Sequence, residues 1–61
     1  MMNYFEIGEL VDHHNRVCRI NSIHLFGDLK YYVIIDQITL DKYICCENFI
    51  DKIKSNFNNI L

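Results

Sequence analysis

The chain contains no alanine, no proline and no tryptophan, and only two glycines in 61 residues. Without alanine the best helix former is missing. No stretch approaches the ~18 consecutive apolar residues that a membrane-spanning helix needs. An excess of charge is lacking too: six basic and eight acidic residues give a net charge of −2. That balance excludes both the strongly basic footprint of a typical nucleic-acid binder and the extreme acidity of a DNA mimic or an acidic tail. Size is the last shortage. A 61-residue chain buries only about 60% of the surface its unfolded form exposes, which leaves no room for a dinucleotide-binding unit with a substrate domain or for a deep catalytic barrel.

What is present favours strands. Ten Ile, four Tyr and four Phe, with 51% hydrophobic residues in all, suit a pleated, half-buried surface. The residues in excess have AT-rich codons, which points to a low-GC genome. The opening Met1-Met2-Asn3-Tyr4-Phe5-Glu6 has neither the basic nor the apolar region of a signal peptide, so a cytoplasmic location and no membrane association are expected.

Three cysteines, Cys18, Cys45 and Cys46, are an odd number with two adjacent, unlike a secreted disulfide framework. Reduced thiols are expected. No C-x2-C or H-x3-H spacing joins them to His13, His14 or His24, so no metal or other cofactor is expected. Neighbours on a strand point to opposite faces, which splits Cys45 from Cys46 and leaves one packed in the core as a small hydrophobe. A Cys nucleophile activated by His also needs an oxyanion hole and a cleft, and the expected class is a non-enzyme. His13-His14 before Asn15 reads as a solvated turn.

Along the chain, Phe5, Ile7 and Val11 around Gly8 read as a lead-in segment, a tight turn and a first strand ending near His14. His14-Asn15-Arg16 is the tip of a tight connection, since Asn tolerates left-handed backbone. The second strand runs from Arg16 to about Leu25. Its apolar points Val17, Ile20 and Ile23 are three apart, which breaks alternation and predicts a β-bulge. Phe26-Gly27-Asp28 is the next turn, and Lys30 to Asp36 is a strand apolar on both faces, either central or packed on a partner. Gln37 to Lys42 continues that strand or forms a longer loop before Tyr43-Ile44-Cys45-Cys46.

Beyond Glu47 two readings compete. Phe49, Ile50, Ile53, Phe57, Ile60 and Leu61 have helical spacing with Asn48 as N-cap. Alternatively Glu47-Asn48-Phe49 is one 3₁₀ turn and Ile50 to Lys54 a fifth strand, with a tail or short helix from Ser55. The second is preferred for residues 47–54.

Phe5-x-Ile7-Gly8-Glu9-x-Val11, an Arg16-Val17 strand after a tight turn, Tyr32-Val33-Ile34, and Ile44 with Glu47-x-x-Ile50-x-x-Ile53 resemble the small SH3-like β-barrels. More narrowly, they are similar to the KOW, Tudor and CarD-like group and to short uncharacterised proteins of phages and mobile elements. The likeness covers about residues 5 to 54. It departs from the KOW pattern at Asn15, which stands where a second glycine is expected. The resemblance implies a mainly β fold, a five-stranded partly open barrel over 5–54 within a single domain 1–61, followed by a tail or short helix at 55–61.

Such barrels bind proteins, peptides and nucleic acids alike. The expected function is a non-catalytic protein-binding or homo-oligomerising module, of the kind a phage or mobile element uses against a host enzyme or defence complex. Its contacts are expected among Phe26, Tyr31, Tyr32, Phe57, Ile60 and Leu61, apolar residues in surplus of what so small a barrel can bury. The alternative is a nucleic-acid-binding barrel that uses Arg16, Arg19 and Lys30 for phosphate and the tyrosine pair for stacking.

Overall fold

Two tight turns lay out the first three strands. The computed structural model describes residues 4–53. His14 and Asn15 both have positive φ, 52° and 68°, the pattern of a type I′ hairpin turn, and they join β1 (Leu10–His13) to β2 (Arg16–Phe26) with His13 opposite Arg16. Gly27, with φ of 64°, then connects β2 to β3 (Leu29–Asp36) through a two-residue loop in which Phe26 faces Leu29. A positive φ at the first central position only is the type II′ pattern, for which glycine is the natural occupant.

The third connection is longer, spanning residues 37–41, and leads into β4 (Lys42–Cys46). A 3₁₀ turn (Glu47–Phe49) and a two-residue β5 (Asp51–Lys52) complete the described chain. All pairings are antiparallel, and the sheet order is β4-β3-β2-β1-β5. The fold is thus mainly β, one five-stranded sheet. Over 47–53 the structure shows a 3₁₀ turn and a strand in place of a helix. The remaining expectations for 54–61, including Phe57, Ile60 and Leu61, lie outside the described residues.

The sheet is strongly curled. The His13 ring in β1 lies 5.4 Å from the Tyr43 ring in β4, although these strands are separated by two others. In a flat sheet that separation would be about 14 Å, three strand spacings. The concave side holds the core: Phe5, Val11, Cys18, Ile20, Tyr32, Ile34 and Ile50 are buried, with Ile23 and Cys45 packed against them. The Phe5 and Tyr32 rings meet edge to face at 5.7 Å.

The expected bulge lies between Ile20 and Ser22. It moves the inward phase of β2 from even residues, Cys18 and Ile20, to odd ones, Ile23 and Leu25. Val17 is therefore not an inward point. It precedes the bulge, lies on the opposite face from Cys18, and is half-exposed. β3 is central, flanked by β2 and β4, and alternates between buried Tyr32, Ile34 and Asp36 and half-buried Tyr31, Val33 and Ile35.

Candidate functional site

Both ends of the curled sheet expose apolar side chains, Ile38 and Leu40 of the 37–41 loop at one and Leu25, Phe26 and Leu29 at the other, but they differ in what surrounds them. At the end near the β1–β2 turn, polar groups are spent on holding the fold. Arg16 Nε donates to Asp36 Oδ2, and Asp36 Oδ1 accepts from the backbone N–H of Ile38 at 2.8 Å and of Thr39 at 3.0 Å. The Arg16 bond and then these two N–H donors hold the Asp36 carboxyl well below the usual carboxylate range, against a smaller opposing effect of burial. His13 Nδ1–H donates to the Phe49 carbonyl at 3.0 Å, tying β1 to the 3₁₀ turn, so His13 acts as a strut and His14 as a turn residue.

At the other end of β1, before Leu10, burial pushes the Glu9 carboxyl up, but the Lys52 ammonium at 2.9 Å and the Glu6 backbone N–H together bring it below its ordinary value. Lys52 Nζ also lies 5.0 Å from the ring centres of Tyr4 and Phe5, a favourable cation–ring arrangement.

The opposite end is apolar and open. β2 runs on past the end of its β1 pairing at Arg19, and β3 past the end of its β4 pairing at Tyr31, so residues 25–30 project beyond both neighbours as a hairpin. Its tip carries Leu25, Phe26 and Leu29, respectively 72%, 75% and 53% exposed. On its concave side an open groove of about 460 Å³ is lined by Ile7, Ile23 and Leu25 with Glu6 and Lys30. On the other face, His24 stacks on Tyr31 with ring centres 5.3 Å apart and bonds Ser22 Oγ at 2.8 Å. That Ser–His pair lies on the outer face of β2, and no carboxylate among the described residues bonds the other ring nitrogen.

Of the expected contact residues, Phe26 lies at the tip of this hairpin and Tyr31 at its base, still paired with Cys46 of β4. Tyr32 does not: it is fully buried, with its hydroxyl 3.4 Å from Glu47. Burial first, and the neighbouring Glu47 second, push its phenol up. The inward register opposite Ile23 makes it core.

The three expected cations fall in three places. Arg16 is engaged with Asp36, Arg19 donates to the Gly8 carbonyl at 2.8 Å from the other face, and Lys30 lines the groove. They do not form one basic surface. Cys18 is buried, and Cys45 and Cys46 are half-buried and unbridged, with Cys45 packed on the core. Burial pushes the Cys18 and Cys45 thiols up. No three His, Cys, Asp or Glu side chains gather as a metal site among the described residues. No described helix is long and apolar enough to cross a membrane.

Sequence reasoning missed Ile7, Leu25 and Leu29. For Leu25 and Leu29 the signal was the apolar run on both sides of Gly27-Asp28, since a hairpin turn is normally flanked by at least some polar residues; Ile7 carried none. Comparison with known proteins finds no matching family model, no matching curated protein and no matching solved structure.

Proposed function

We propose that the chain is a non-catalytic protein-binding module built on a partly open SH3-like barrel, with the β2–β3 hairpin as its contact surface. Three features support the barrel: the strand order, the 3₁₀ turn before β5, and the His13–Tyr43 approach across the curl. The observation that carries the function is the exposure of Leu25, Phe26 and Leu29 around a single two-residue turn. Isolated exposed apolar residues are ordinary, whereas several gathered on a projecting element mark a contact site.

The test pairs wild type with a Phe26→Asp/Leu29→Asp double variant. Both positions are exposed, so the fold should hold at a cost of about 1 kcal/mol for setting two carboxylates opposite each other. Wild type should associate, with itself or with a protein captured from native extract, and the variant should lose that association. Equal association by both proteins, or none by either, would count against the reading. Nucleic-acid binding in place of protein binding would show as a salt-dependent anisotropy signal with oligonucleotides, lost on substituting Arg19.

A further inference from the structure

The β2 edge beyond the bulge is an open template. A two-residue turn makes its closing pair, Phe26 and Leu29, a hydrogen-bonded pair, so His24 and Phe26 direct their backbone groups toward β3. Ile23 and Leu25 then direct theirs away from it, to the side that β1 occupies lower down. There Gly8 N–H donates to the Ile20 carbonyl at 2.8 Å, and Ile20 N–H donates to the Glu9 carbonyl at 2.9 Å. Past Ile20 no described strand continues the ladder on that side. Two N–H and two C=O groups, those of Ile23 and Leu25, are left facing outward. The edge carries none of the usual guards, for residues 21–26 include no Lys, Arg, Asp, Glu or Pro.

We infer that a second copy of this chain pairs antiparallel with the first along residues 22–26 of β2, about a twofold axis at His24. A second copy suits this edge because residues 21–26, with no Lys, Arg, Asp or Glu, meet themselves without like-charge repulsion. Exposed ladder groups at Ile23 and Leu25 are self-complementary about His24: Ile23 of one copy and Leu25 of the other exchange both N–H···O bonds, and the symmetric pair does the same. Four bonds form and all four outward groups on each copy are used. On the concave side the two Ile23 and two Leu25 side chains meet, extending each groove into its neighbour. On the other side His24 faces His24, and Ser22 faces Phe26. An isologous contact of this kind closes at two copies.

The inference rests on the hairpin being a contact surface, and it adds the edge as the means. Sedimentation equilibrium over a concentration series should show a monomer–dimer equilibrium for wild type. Leu25→Pro removes one outward N–H per copy and leaves the β2–β3 ladder intact, since the lost donor faces away from β3. It should raise the dissociation constant roughly ten- to hundredfold, two bonds being lost and two carbonyls left unsatisfied. Leu25→Thr keeps the donor and should leave a dimer. His24→Asp sets two carboxylates side by side at the axis and should abolish dimers, while His24→Gln should not.

Because a proline variant can fail to fold, amide exchange in wild type is the second measurement. The Ile23 and Leu25 amides should slow at least about tenfold as the dimer is populated. A wild-type monomer at every concentration, a dimer that survives both Leu25→Pro and His24→Asp, or Ile23 and Leu25 amides unprotected in the dimer would each overturn the inference. Should wild type remain monomeric yet capture another protein in a manner lost with Phe26→Asp/Leu29→Asp, the contact-surface reading stands and the edge pairing falls.

Discussion

One carboxylate joins two parts of the chain: Asp36, at the end of the central strand, accepts from Arg16 of β2 through one oxygen and from the N–H groups of Ile38 and Thr39 through the other. The first bond pins β2 to β3, and the other two cap the loop that leads to β4. Asp36 is only 1% exposed, and these donors stand in for the water it has lost.

Asp36→Asn should lower the melting temperature measured by circular dichroism, and by more than Arg16→Gln does. An amide nitrogen turned to either side donates where an acceptor is needed, whereas removing Arg16 leaves the loop cap intact.

The same carboxylate predicts acid sensitivity of defined sign. Its folded-state pKa lies below the unfolded value of about 3.9, so its contribution is fully present above about pH 4 and is lost as pH falls below that. Stability measured by denaturant titration should drop between pH 4 and pH 2. In Asp36→Asn that part of the drop should vanish.

Leu40 holds a φ of 67° while 71% exposed, a left-handed conformation that costs a non-glycine residue about 1–2 kcal/mol. Glycine removes this strain but adds about 0.5–1 kcal/mol of unfolded-state entropy. Leu40→Gly should therefore stabilise by up to about 1 kcal/mol in urea titration, or a few degrees in Tm.

Adjacent tyrosines should behave oppositely. Tyr32→Ala empties a site at the centre of the core, a loss of about 3–5 kcal/mol, comparable to everything so small a core supplies. That variant should be unfolded by one-dimensional NMR. Tyr31→Ala, on the half-exposed face, should fold and lose about 1 kcal/mol.

The thiols should separate by rate. Cys18 is fully buried, and burial holds its thiol protonated, so it should react with an aromatic disulfide reagent only as fast as the chain unfolds. Cys46, half-buried on the opposite face from the core, should react first.

Much of this layout was readable from residue order. Asn15 and Gly27 marked their turns because few residues accept positive φ. The three-residue spacing from Ile20 to Ile23 betrayed the bulge because a strand's period is two. Glu47 to Phe49 read correctly as a 3₁₀ turn. The misses have physical causes. Val17 looks like an inward residue until the position of the bulge is known, and Tyr31 and Tyr32 are indistinguishable until register assigns their faces. Asp36 looked like the polar end of a strand: its donors from Ile38 and Thr39 lie only two and three residues on, but Arg16, twenty residues back, meets it only through the tertiary fold. The hairpin groove was invisible for the same reason: Ile7 and Leu25 are far apart in sequence.

Asn21 has no cross-strand partner of its own, so its removal need not turn any side chain to the other face. A deletion there would convert the bulge into a regular ladder, with Ile20 still opposite Ile34, Ser22 opposite Val33 and Ile23 opposite Tyr32. Deleting His24 instead would make Ile23 and Leu25 neighbours, set them on opposite faces and split the groove. Length changes in β2 are thus absorbed at the bulge and destructive a few residues beyond it, so natural variants that differ in length here should differ at Asn21.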